Sequence, residues 1–130
     1  MIKIFVVFLS LISAPAYACC DHIENDFDKT VSEMEPFTRL VIEGEITDVR
    51  TTYPRRHPDE MDVKVLSVID GVWSRNTLTA KSGTSSANAN FDQYVVGHRY
   101  KMALIRNEEE DGSVYFTQSI CGTYAKPIVH

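Results

Sequence analysis

The sequence predicts a small all-β domain: a five-stranded barrel with a short N-terminal helix. Apolar and polar residues alternate at period two in several separate segments. Turn-forming residues divide those segments at short intervals, and only one stretch keeps helical spacing instead. Several short strands with little else suggest a sheet closed on itself, which removes exposed edges.

The helical stretch is 21–35, where Ile23, Phe27, Val31 and Met34 recur at spacings of four, four and three. Pro36 ends it, because proline lacks the N–H a helix needs. From Arg39 the period becomes two. Leu40, Ile42, Gly44 and Ile46 share one face, and Glu43, Glu45 and Thr47 share the other, with Gly44 where the strand can bend. Residues 51–60 hold Pro54, Arg55, Arg56, His57 and Pro58 and read as a loop. The valine-rich segment 62–69 is the second strand, closed by the turn pair Asp70-Gly71. Residues 76–81 make a short third strand. Residues 82–90 are Gly-, Ser- and Asn-rich, with only alanines as apolar anchors, and are expected to move. The fourth strand spans 98–106, with Tyr100, Met102 and Leu104 on one face. A charged tip at 107–112 follows, and the returning strand at 113–119 delivers Cys121 just past its end. No internal repeat or linker is visible, so the chain is one domain.

The first residues carry a different signal. Lys3 precedes an apolar run at 4–12, and Ala16 and Ala18 stand where a signal peptidase reads small side chains. Residues 1–18 are therefore expected to be a cleaved signal peptide, with 19–130 the exported domain, secreted or periplasmic. The apolar run is about half of the roughly 20 residues a membrane span needs, which argues against a transmembrane anchor. The net charge is −5, and loss of Lys3 makes it one unit more acidic. Such a chain repels phosphate backbones, so nucleic acid is discounted as a partner.

The cysteines are Cys19, Cys20 and Cys121. In an exported protein they are read first as disulfide partners. Adjacent cysteines seldom bond to each other, because the small ring is strained. One of Cys19 and Cys20 is thus expected to pair with Cys121, tying the ends of the domain together. Closing a loop of about 100 residues contributes up to about 4.7 kcal/mol in the chain-entropy account.

The order of segments also carries a resemblance. A leading cysteine pair and polar helix are followed by LVIEGEITDV, VKVLSVIDGVW, LTAKSG, YVVGHRYKMALI and GSVYFTQSICGTY. This resembles the bacterial relatives of the tissue inhibitors of metalloproteinases, the netrin-like module, over about 19–124. The most specific pieces are the Asp70-Gly71 turn, the VGHRY lead-in to the fourth strand and Cys121-Gly122-Thr123. The resemblance implies a five-stranded barrel of the oligonucleotide/oligosaccharide-binding (OB) type. It also implies a Cys20–Cys121 bridge, with Cys19 left over. Two departures stand out: the family separates its first two cysteines by one residue, and it carries a further cysteine where this chain has 85–90.

The functions follow in order of chemistry. The resemblance implies metalloprotease inhibition, in which the amine and carbonyl of the first mature residue, Cys19, chelate the target's zinc. A terminal amine with a pKa near 7.7–8.0 is sufficiently neutral for that near neutral pH. Cys19 is alternatively a lipidation site, although Tyr17 is bulky for such a signal, or it bonds a second copy into a dimer. Cys19, Cys20 and His22 are close in sequence, but a bridge consumes one sulfur, and His57, His98 and His130 are scattered; no metal or other cofactor is expected. No nucleophile elbow, phosphate loop or zinc-protease motif is present, so the chain is not expected to be an enzyme and no catalytic residue is assigned. The expected role is non-catalytic binding of an envelope or extracellular protein or glycan. Tyr53, Arg55, Arg56 and His57 form the candidate binding loop, locally basic on an acidic chain. Trp73, just after a turn, is expected to be partly buried and structural.

Overall fold

In the computed structural model, residues 26–52, 54–82 and 89–128 are described. They form α1 (Phe27–Glu33), β1 (Arg39–Arg50), β2 (Glu60–Asp70), β3 (Thr77–Lys81), β4 (Arg99–Glu108), β5 (Val114–Thr117) and β6 (Ala125–Pro127). β1 pairs with β2 on one edge and with β4 on the other, both antiparallel. β2 continues to β3, β3 meets β5 in parallel at Ala80 and Phe116, and β5 returns along β4. The ring β1-β2-β3-β5-β4 is therefore closed, a five-stranded barrel as the strand pattern predicts and of the OB type that the resemblance implies.

Closure requires β1 to coil, and its register against β2 shifts at three points. Gly44 allows the closest approach: a Cβ there would lie 2.5 Å from Val63 Cγ1. Inside the ring, Leu40, Ile42 and Ile46 meet Met61, Val63, Leu78, Tyr100, Met102, Leu104 and Phe116. The period-two positions of β1 and β4 thus point inward as expected. Phe91 and Tyr94, from the connection between β3 and β4, join this core. Each fully buried side chain of this size contributes about 1.5–3 kcal/mol.

A second, smaller layer lies outside the barrel. Phe27 and Met34 pack on Val41 and Ala103. Those two point to the outer face, which alternation alone assigns to water; the helix is what covers them. Asp26 caps α1 by accepting from Lys29 N at 2.8 Å. The helix stops at Glu33, ahead of Pro36, and Met34 is already extended. Arg39 Nη1 donates at 3.0 Å to the Val31 carbonyl, which also accepts from Met34 N, while Arg39 Nε sits 2.9 Å from Asp70, so one side chain ties the helix end to the β2 turn. The Lys101 and Lys126 ammonium groups both lie over the Phe27 ring, at 5.6 and 5.7 Å from its centroid.

Two boundaries differ from the expectation. The described helix begins at Phe27 rather than 21, and the residues before Asp26 lie outside the description. A sixth strand, β6, is present as well. It pairs with Tyr100–Met102, on the stretch of β4 that lies beyond the reach of β5.

Candidate functional site

One end of the barrel carries the β1–β2 loop, the connection between β3 and β4, and the segment after β5. Backbone hydrogen bonds join these into one rim. Asp59 N donates to Arg50 O at 2.9 Å, Ser82 N to Asp59 O at 2.8 Å, and Phe91 N to Pro58 O at 2.9 Å. Ala89 N donates to Gln118 O at 2.7 Å, bringing in the run that leads to Cys121. Asp59 is buried and accepts from both the backbone N–H and the hydroxyl of Thr52. Burial opposes its charge, but the Thr52 bonds and nearby Arg55 outweigh that and hold its carboxyl below the usual range.

The candidate loop residues fall differently from one another. Arg55 is committed: Nη1 donates to Ser82 Oγ at 3.1 Å and Nε lies 3.6 Å from Asp59. His57 Nδ1 lies 3.2 Å from Asp92 Oδ2, linking the two loops again. Arg56 is exposed, and Tyr53 lies outside the described residues. Arg55 and His57 therefore lace the rim together, although all three basic residues of the loop are exposed. Val95 and Val96, in the same connection, are also exposed. Cys19 and Cys20 lie outside the described residues, and so does the expected bridge to Cys121. The run after Cys121 packs on the helix, where Thr123 N donates to Thr30 Oγ1 at 3.0 Å.

Beneath the rim sits Gln118, buried in the core. Its Nε2 donates to Ala103 O at 3.0 Å and Tyr124 O at 3.3 Å, and its Oε1 accepts from Tyr94 OH at 2.6 Å. Burial pushes the Tyr94 phenol well above its ordinary value, so it remains a donor. This amide fastens β4, the approach to β6 and the rim connection at one point.

The opposite end bears a feature that sequence reasoning missed. Two adjoining clefts, of about 290 and 470 Å³, share Val72 and Arg106. Phe37 lines the first, and Trp73 and Arg75 line the second. These residues come from the α1–β1, β2–β3 and β4–β5 regions, too far apart in the chain for any local pattern. The available signal was large apolar residues, Phe37 and Val72, set directly after Pro36 and Gly71. Trp73 is half-buried, as expected: its ring stands edge-on to Phe116 at 5.1 Å and its Nε1 donates to Thr77 O at 3.0 Å.

The remaining charged groups serve the sheet. Arg50 bonds Asp48, Glu60 and Asp62, and its bond to Asp62 keeps that carboxyl below the usual range. Glu43 accepts from Ser67 Oγ at 3.1 Å, and Glu45 from Arg99 Nε at 3.3 Å. Among the described residues no three His, Cys, Asp or Glu side chains converge on a point where a metal ion would sit, and no helix is long and apolar enough to cross a membrane. No family model, curated protein or solved structure matches this chain.

Proposed function

We propose that the chain is an exported, non-catalytic binding module that recognises another protein through the rim of the β1–β2 and β3–β4 connections. The observation that carries this is the stitching of the rim. Four backbone hydrogen bonds and the Arg55 and His57 contacts order loops that would otherwise lose conformational entropy when a partner docks. Function on a rigid scaffold commonly resides in such connections. A protein partner is favoured over a glycan, because the described aromatic residues of the rim, Phe91 and Tyr94, are buried and offer no open ring for a sugar, whereas Val95, Val96 and Arg56 face outward.

The test is site-specific photo-crosslinking in the native host. A photoreactive amino acid at position 56 or 96 is expected to trap one defined envelope or extracellular protein, and the same label at 68, on β2, is not. Equal labelling from all three positions, or none from the rim, overturns the reading.

One observation supports a second reading, inhibition of a metalloprotease. The segment leading to Cys121 lies against the rim through Ala89 and Gln118, and Cys121 does not stand free. A bridge from Cys121 to Cys20 would set a mature Cys19 amine beside the same loops. Purified exported protein with a free Cys19 terminus is then expected to inhibit a zinc endopeptidase, and acetylation of that amine to abolish inhibition. Inhibition that survives acetylation refutes zinc chelation by the terminus.

A further inference from the structure

We infer that the groove opposite the rim is a second docking site, and that its occupant is a peptide segment with a carboxylate beside apolar side chains. The apolar part is unusual for a small acidic protein. Phe37 and Val72 are 91% and 90% exposed and line the same cleft. A single exposed apolar side chain is ordinary, but two of them on one cleft, with an indole ring in the cleft adjoining it, mark a contact surface. The larger cleft, of about 470 Å³, falls within the size range of ligand sites.

Charge selects the occupant. Most arginines here are spoken for by carboxylates: Arg39 by Asp70 at 2.9 Å, Arg50 by Asp62 at 2.7 Å, Arg99 by Glu45 at 3.3 Å and Arg55 by Asp59 at 3.6 Å. Arg39 also lines the first cleft, but the other two arginines of the groove are held far more loosely. Arg106 reaches Glu108 only at 4.0 Å, with both side chains about half or more exposed, and Arg75 rests over the face of Trp73 at 5.8 Å. A protein with net charge −5 thus keeps two guanidiniums with spare donors at one apolar groove. Guanidinium geometry suits a carboxylate.

The acidic tip Glu108-Glu109-Glu110-Asp111 borders the same groove through Gly112 and Ser113. Its like charge disfavours a polyanion more than it does a single carboxylate, so a peptide fits better than a phosphate polymer. Arg106 lines both clefts and so stands mid-groove, where a segment lying across the two presents an acidic side chain rather than its terminus. This surface is independent of the rim, and neither proposal needs the other.

Trp73 is the chain's single tryptophan and lies in the groove, so its emission reports occupancy directly. Three blocked tetrapeptides serve as probes: Leu-Phe-Glu-Val amide, Leu-Phe-Gln-Val acid and Leu-Phe-Gln-Val amide. The glutamate peptide amide is expected to give a saturable shift, and the uncharged amide to bind about tenfold or more weakly. Saturable binding of the C-terminal acid alone overturns the assignment to an acidic side chain. Affinity is expected to fall as salt rises. R75Q and R106Q each remove charge at an exposed site and are expected to weaken binding by a similar factor, with unchanged unfolding midpoints. Equal affinity for all three peptides, unchanged binding in both variants, or no saturable shift with any probe overturns the proposal.

Discussion

Replacing Gln118 by methionine should reveal how much of the fold hangs on one buried amide. Met is close in volume, so the change removes hydrogen bonds with little cavity. Ala103 is the telling partner. Its N–H donates to Tyr124 O at 2.8 Å, and in an antiparallel strand the C=O of the same residue points to the same edge. The Ala103 carbonyl therefore depends on Gln118 Nε2, and losing that donor leaves a buried acceptor unpaired, at about 1–3 kcal/mol. The Tyr94 hydroxyl also loses its short bond, worth about 1 kcal/mol. Tyr124 O keeps the Ala103 N–H, so its loss is small. Q118M is expected to cost about 2–4 kcal/mol in total. With a urea slope of about 1.5 kcal/mol/M, the midpoint falls by roughly 1.3–2.7 M. Tyr94→Phe is expected to cost about 1–2 kcal/mol by orphaning Gln118 Oε1, and the double variant should fall short of the sum by about 1 kcal/mol. A Q118M cost under about 1 kcal/mol, or strict additivity with Y94F, refutes the network.

Two glycine substitutions separate backbone strain from crowding. Gly71 and Gly112 both have positive φ, but a Cβ on Gly71 would lie 2.5 Å from Arg39 O, while one on Gly112 meets nothing within 4 Å. Denaturation should show G112A costing about 1 kcal/mol and G71A at least twice that; equal costs would mean the approach at Arg39 is not tight. The acid limb of stability is set in part by Asp62 and Asp59, whose folded pKa values lie below their unfolded ones. Their contribution is full above about pH 4 and fades as pH falls through the folded values, so wild-type stability drops between pH 6 and pH 3. Arg50→Met removes the main cause at Asp62 and should shrink that drop in urea titrations at the two pH values. Asp26→Ala deletes the α1 cap and should cost about 1 kcal/mol by the same assay.

The parts of the fold that were legible in the sequence are those with a local cause. Leu40, Ile42 and Ile46 point inward because strand side chains alternate, and the Asp70-Gly71 pair turns because Gly71 adopts a positive φ of 94°. What was hidden depends on contacts between distant segments. β6 is only Ala125–Pro127, ends in proline and shows no alternation; it exists because β5 leaves an edge of β4 open. Val41 and Ala103 look solvent-facing until α1 is placed over them. The rim showed only half of itself: residues 54–58 looked like a basic loop, yet Asp59 and Asp92, one on each connection, take up Arg55 and His57. The groove was invisible for the same reason, since Phe37, Val72 and Arg106 meet only after the barrel closes.

The proposed export and the proposed zinc chelation share one requirement, an oxidised cross-link that would hold a processed N-terminus to Cys121. Intact mass and a non-reducing peptide map of protein recovered from outside the cytoplasm test that most directly. The expected result is a chain beginning at Cys19 whose Cys121 peptide migrates joined to the N-terminal one. An N-terminus at Met1, or a Cys121 that alkylates without reduction, would contradict it.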